Sequence, residues 1–138
     1  MTIGVGILGF AHGHVNMYCT QWKEHPEQGV RVVAGWDHDS ARLAKAAADF
    51  ALQPCATVEA LLATSGVQAV VVSAETSRHA ELVEQAAAAG RAIVLQKPMA
   101  LTLAEADRIV AAVARHGVPV TLAWQMRVDP QNVQIKEL

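Results

Sequence analysis

Aromatic residues are scarce, 4% of 138 positions, and only two cysteines occur, Cys19 and Cys55. They lie far apart and form no metal-type pair, so they read as reduced thiols of a cytoplasmic protein. No uninterrupted apolar segment approaches the ~20 residues of a membrane span, and no basic leader precedes one. Met1–Leu8 is apolar but short and glycine-bearing, which suits a first strand. Charge is sparse: Lys and Arg number 11 against 13 Asp and Glu, for a net −2. No block of like charge exists to attract nucleic acid or an anionic membrane. What is abundant is alanine and β-branched residues. Hydrophobic residues make up 52% of the chain, enough at this length for one domain with a core.

Short β-branched runs alternate with alanine-rich helical patterns, which predicts parallel strands joined by crossover helices. The expected strands are Ile3–Leu8, Val30–Trp36, Ala69–Ser73, Ala92–Leu95 and Val120–Ala123, with a short edge strand near Cys55. Helices are expected at about 14–25, 39–50, 57–64, 77–89 and 102–116. Thr102 with Glu105 forms a capping box, and Gly29, Gly66, Gly90 and Gly117 stand where a left-handed residue ends a segment. In the last long helix Leu103, Ala106, Val110 and Val113 fall on one face. Right-handed crossovers then give a doubly wound, mainly parallel α/β sheet. Val133, Ile135 and Lys136-Glu137-Leu138 look like the opening of a further helix.

Chemistry concentrates at predicted strand ends. The stretch Ala92-Ile93-Val94-Leu95 leads into Gln96-Lys97-Pro98, and proline cannot continue a paired strand because it lacks the N–H. A lysine delivered at the carboxyl end of a buried strand lies where open α/β sheets bind ligands. The pattern G-x-G-x-x-G occurs literally at Gly4 to Gly9, but Gly4 and Gly6 fall inside the first strand. A phosphate-binding turn belongs between strand and helix, which starts the register at Gly9: Gly9-Phe10-Ala11-His12-Gly13-His14. Its second glycine is then Ala11 and its third His14. Asp37 closes the second strand 23 residues after His14, near the ~20-residue spacing of an acid that accepts hydrogen bonds from an adenosine ribose. A carboxylate there repels a 2′-phosphate, so it favours NAD over NADP. Arg42 is placed to reach over an adenine face.

Gly6-Ile7-Leu8-Gly9, Val33-Ala34-Gly35-Trp36-Asp37 with Arg42, and Ala69-Val70-Val71-Val72 followed by His79-Ala80-Glu81-Leu82 are motifs of one known family. Ala89-Gly90-Arg91 through Lys97-Pro98-Met99-Ala100-Leu101-Thr102, and Arg127-Val128-Asp129-Pro130, continue the set. In order and spacing, over nearly the whole chain, these segments resemble the Gfo/Idh/MocA oxidoreductases. The resemblance implies a Rossmann domain over residues 1–124 that binds NAD, or less readily NADP. It implies that residues 125–138 open a second α/β domain, absent from this chain, that completes the substrate site and builds a homo-oligomer. The implied reaction is hydride transfer between nicotinamide and a sugar, cyclitol or related polyol. Lys97 matches the lysine beside the nicotinamide and the reacting carbinol, and is the expected catalytic residue. Gly9, Phe10, Ala11, His12, Gly13, His14, Asp37, Arg42, Ser73, His79 and Gln96 are expected around the cofactor, and Arg127 against substrate; no metal is implied.

The chain departs from that family at several positions. Gln96 stands for the usual glutamate, Ala74-Glu75-Thr76 for Thr-Pro-Asn, and Ala11 and His14 alter the phosphate turn. A non-catalytic dinucleotide-binding or regulatory module therefore stays open as the alternative. His12-x-His14 also resembles the metal pair of amidohydrolase barrels, which run to ~250 residues and need further histidines at strand ends that are not found here.

Overall fold

A computed structural model describes residues 2–137; Met1 and Leu138, which end the apolar opening and the predicted last helix, lie outside the described residues. The elements run β1 (Ile3–Leu8), α1 (His14–Glu24), β2 (Val30–Trp36), α2 (Ser40–Phe50), β3 (Gln53–Pro54) and α3 (Val58–Leu62). They continue with β4 (Ala69–Val72), α4 (His79–Ala88), β5 (Ala92–Leu95), α5 (Leu103–His116), β6 (Val120–Leu122) and α6 (Pro130–Lys136). The six strands form one sheet in the order β3-β2-β1-β4-β5-β6, and every pairing is parallel. The edge strand expected near Cys55 is the two-residue β3 immediately before it.

Strand residues alternate between two packed faces, as the pleat requires. Val5, Ile7 and Val71 join Val15 and Cys19 of α1 and Ala46 of α2. Leu8, Val70 and Val72 turn the other way, onto Leu61 of α3, Leu82 of α4 and Ile109 of α5. Both sheet faces are thus covered by helices, which is why β1 and β4 read as continuous apolar runs. The chain winds outward from β1 through β2 and β3, returns to β4, and winds the other way. The carboxyl ends of β1 and β4 therefore flank the point where strand order reverses, the crevice in which such sheets bind ligands.

Helix ends follow local chemistry. Glu105 N–H donates to Thr102 Oγ1 at 3.2 Å and Thr102 N–H to Glu105 Oε2 at 3.0 Å, completing the capping box. The four glycines read as left-handed all have positive φ. One expectation is corrected. Leu103 and Val110 of α5 are exposed, 85% and 57%, and the buried face is centred on Ile109 and Ala112, flanked by partly buried Ala106 and Val113. Apolar residues every three or four positions define two overlapping stripes on this helix. The one that docks carries alanines, which let α5 lie close against alanine-rich α4.

Candidate functional site

The turn from β1 to α1 is built from close packing. Gly9 has φ +93°, and a Cβ added there would lie 2.4 Å from Ala74 Cα, so no other residue fits. Gly4 and Gly6 lie within β1, and a Cβ on Gly4 would meet Gly66 O at 1.8 Å. The literal glycine pattern inside the strand thus reflects packing, and the turn itself begins at Gly9. Ser73, fully buried, locks the turn: its Oγ donates to Gly9 O at 2.6 Å, and its own carbonyl accepts from His12 N–H at 3.1 Å. The Phe10 ring enters the core, leaving only its backbone to the turn.

Asp37 sits just past β2, its side chain 1% exposed. Oδ2 accepts from Phe10 N–H at 2.7 Å and Arg42 Nε at 3.1 Å. Oδ1 accepts from Asp39 N–H at 2.8 Å and Arg42 Nη2 at 2.9 Å. Burial opposes its charge, but Arg42 and the two backbone N–H groups outweigh that cost and hold its pKa below the ordinary carboxylate value. Arg42 Nη2 also donates to Glu75 Oε1 at 2.7 Å. His38 Nδ1 lies 3.4 Å from Asp37 Oδ1 and 3.5 Å from Glu75 Oε2. Beside this group the Arg78 guanidinium stands 5.3 Å over the Trp36 ring, a cation–π contact.

Across the crevice, Gln96-Lys97-Pro98 follows β5, and Gln96 N–H donates to Val72 O at 3.0 Å. His79 is 1% exposed. Its Nε2 is 3.1 Å from Ala74 O, and its Nδ1 is 3.1 and 3.3 Å from the carbonyls of Pro98 and Met99. With the proton on Nδ1 the ring donates to the carbonyls of Pro98 and Met99 and braces the loop that carries Lys97; with the proton on Nε2 it donates to Ala74 O instead. Lys97 is half-buried and near the turn after β1: burial first, then the charges of Lys97, His14 and His79, hold His12 below the ordinary imidazole value. The His12 and His14 rings stack with centroids 4.8 Å apart, and their Nδ1 atoms lie at 3.1 Å, so one ring donates and the other accepts.

Gln96 is fully buried, and its Nε2 donates to Tyr18 Oη at 2.9 Å. Gln125 Nε2, on the turn that also carries exposed Arg127, donates to the same oxygen at 2.9 Å. Tyr18 thus ties α1, the lysine strand and the segment after β6 together. Sequence reading missed it, although it stands one helical turn after His14 and so shares its face.

The predicted residues thus gather at one edge of the sheet. Asp37 and Arg42 lie on the β2 side, Gly9 to His14 with Ser73 in the middle, and Gln96, Lys97 and Arg127 on the β5–β6 side. The donor set fits a dinucleotide. No described side chain caps α1, and a Cβ on exposed Gly13 would meet nothing within 4 Å, so the positive end of an 11-residue helix opens on free space. Gln96 Oε1 and Glu75 Oε2 are buried acceptors without a hydrogen-bond donor. Asp37 fits less simply, because its four lone-pair directions are already taken. A ribose hydroxyl reaches it only when Arg42 turns aside. A separate hollow of about 660 Å³ lies at the end of the chain, lined by Trp124, Met126, Arg127, Asn132, Val133, Lys136 and Glu137.

Residues 3–124 match the family described as "Oxidoreductase family, NAD-binding Rossmann fold", GFO_IDH_MocA. The chain is 36% identical over 129 residues to D-apiose dehydrogenase of Paraburkholderia graminis, covering 93% of this chain and 32% of that protein. It is 31% identical over 141 residues to an inositol 2-dehydrogenase of Gluconacetobacter diazotrophicus, covering 100% and 41%. Two solved structures share the fold. The WlbA dehydrogenase of Bordetella pertussis, in complex with NADH and UDP-GlcNAcA, has a TM-score of 0.86 at 23% identity, covering 99% of this chain and 41% of that one. KijD10, a 3-ketoreductase of Actinomadura kijaniata in complex with NADP and TDP-benzene, has a TM-score of 0.85 at 24% identity, covering 99% and 42%. The chain spans well under half the length of each. With its doubly wound sheet and its glycine turn at the switch point, the chain belongs to the Gfo/Idh/MocA oxidoreductase family and carries that family's NAD-binding Rossmann fold.

Proposed function

We propose that this chain is the dinucleotide-binding part of an NAD-dependent oxidoreductase acting on a carbinol of a sugar, cyclitol or related polyol. The reading is carried by one observation: Asp37, the open N-terminus of α1 and Lys97 share a single carboxyl edge, across the point where strand order reverses. Bound nicotinamide supplies or accepts the hydride. The amides around Ala11, His12, Gly13 and His14 hold the diphosphate at the helix end. Asp37 accepts from the adenosine ribose once Arg42 turns aside, and its charge favours NAD over NADP. The Lys97 ammonium donates a hydrogen bond to the carbinol oxygen and stabilises the negative charge that develops as the C–H bond breaks. The carbinol proton passes to a base outside this chain, and Arg127 contacts the substrate.

On this reading residues 1–124 form the dinucleotide domain, and residues 125–138 lead into a second α/β domain. That domain completes the substrate site and the subunit interface of a cytoplasmic homo-oligomer. D-apiose and inositol, named in the two relatives, support the polyol class. A dinucleotide-binding module without turnover is the second reading, favoured by the saturated Asp37 and by Ala11 and His14 in the phosphate turn.

Titration of intrinsic or NADH fluorescence is expected to give tighter binding of NADH than of NADPH. In the protein joined to its substrate domain, Lys97→Met is expected to lower turnover by about 10²–10⁴-fold with NADH binding little changed. Retained turnover removes the lysine from catalysis, and binding without turnover of any sugar or cyclitol in the parent protein favours the module reading.

A further inference from the structure

Arg42 spans the carboxyl end of β1, and carboxylates hold it from both sides. Its Nε and Nη2 grip Asp37 beyond β2 at 3.1 and 2.9 Å, and the same Nη2 reaches Glu75 beyond β4 at 2.7 Å. Both hydrogens of Nη2 are thereby engaged, and the three side chains carry one negative charge in excess. Burial opposes the charge on Glu75, but its own backbone hydrogen bond and the Arg42 guanidinium hold its pKa below the ordinary carboxylate value, so it is ionised at neutral pH. Glu75 Oε2 has no hydrogen-bond donor, and His38 Nδ1 lies 3.5 Å from it.

Next to a ribose-binding acid, a free arginine offers its planar fork to a 2′-phosphate. Pinned between carboxylates through Nε and both Nη2 hydrogens, Arg42 has no complete fork edge to offer. We propose that Glu75 is a specificity-determining residue: when Arg42 turns aside from Asp37 to admit the ribose of NAD, Glu75 keeps its guanidinium engaged, so no free fork is offered to the 2′-phosphate of NADP. The inference rests on the dinucleotide reading above. It assigns to Glu75 a selectivity otherwise given to Asp37 alone. A 2′-phosphate brings about −1.5 to −2 charges to a group that already carries excess negative charge. Replacing Glu75 by glutamine balances Asp37 against Arg42 and weakens the hold on Nη2 from a charge-assisted to a neutral hydrogen bond, which a phosphate can displace.

The test is paired fluorescence titration with NADH and NADPH of the parent chain, Glu75→Gln and the double variant Glu75→Gln/Arg42→Met, with thermal unfolding confirming that each is folded. The Glu75 side chain is 38% exposed, and glutamine keeps its shape. In Glu75→Gln the NADH-to-NADPH preference is expected to fall about tenfold, mainly through tighter NADPH, as expected for removing one charge at a partly exposed site. The double variant is expected to lose that gain. An unchanged preference in folded Glu75→Gln overturns the inference. So does a gain that survives removal of Arg42, which would mean that repulsion acts without the pin. A parent chain that binds neither dinucleotide overturns the oxidoreductase reading itself, and this inference with it.

Discussion

Asp37→Asn is the sharpest perturbation of the strand-end network, and its cost can be worked from the contacts. The carboxylate accepts from four donors, two on each oxygen. An amide keeps one acceptor oxygen and turns an NH₂ toward the other pair of donors. If the oxygen stays with Asp39 and Arg42, the buried Phe10 N–H loses its acceptor and faces another donor. An orphaned buried donor costs about 1–3 kcal/mol. Loss of the ion pair adds about 1 kcal/mol or less, because Arg42 is 33% exposed and keeps Glu75. The sum is about 1–4 kcal/mol from a total stability of order 5–15 kcal/mol. At about 2–4 °C per kcal/mol for a chain near this size, the melting temperature falls by roughly 5–10 °C for a mid-range loss.

Thermal unfolding followed by circular dichroism, parent against variant, reads this out. Its pH dependence carries a sign. The folded pKa of Asp37 lies below its unfolded value, so its contribution is full above about pH 3.9 and is lost as pH falls through the folded pKa. The gap between parent and variant is therefore expected to be fully open at about pH 5 and to close in stronger acid. Groups common to both proteins that do not touch Asp37 cancel in that difference, and His38, 3.4 Å from Oδ1, carries its charge in both throughout that acid range. A variant within about 0.5 kcal/mol of the parent at pH 7, or a gap that persists unchanged in acid, would refute the account of Asp37 as the anchor of this network.

Two further outcomes test the packing. Gly9→Ala sets a Cβ 2.4 Å from Ala74 Cα at a φ of +93°, a backbone clash that no rotamer relieves. A loss of at least about 3 kcal/mol is expected, and a melting temperature equal to that of the parent would show that the turn is not as tight as described. Burial pushes the Cys19 thiol up to about 12, so little thiolate forms at pH 8. Alkylation read by mass spectrometry is expected to spare Cys19 in buffer and modify it in urea, whereas rapid labelling of the native protein would contradict its burial.

Much of this architecture was legible because it repeats along the chain. The alternation of β-branched runs with alanine-rich helices maps onto a two-sided parallel sheet, and Thr102 with Glu105 caps α5 as their spacing predicts. That Gly4 and Gly6 fall within β1 and the turn starts at Gly9 was also legible, from the apolar run that surrounds the first two. The buried face of α5 was not. Two apolar stripes share that helix, and only the surface of α4 selects the one centred on Ile109. Tyr18 was missed for a related reason: its partners Gln96 and Gln125 lie 78 and 107 residues away, and no local pattern announces such a contact.

The residues alone determined which groups arrive at strand ends: a carboxylate after β2, a glycine turn after β1 and an ammonium after β5. Local periodicity and proline chemistry suffice for that, because each depends on near neighbours. How those groups are engaged was decided by the tertiary fold. It left Asp37 saturated by four donors, tied Arg42 to Glu75 across β1, and buried His79 against the carbonyls of Ala74, Pro98 and Met99. These outcomes depend on which strands become neighbours, and the order β2-β1-β4-β5 exists only once the sheet is assembled.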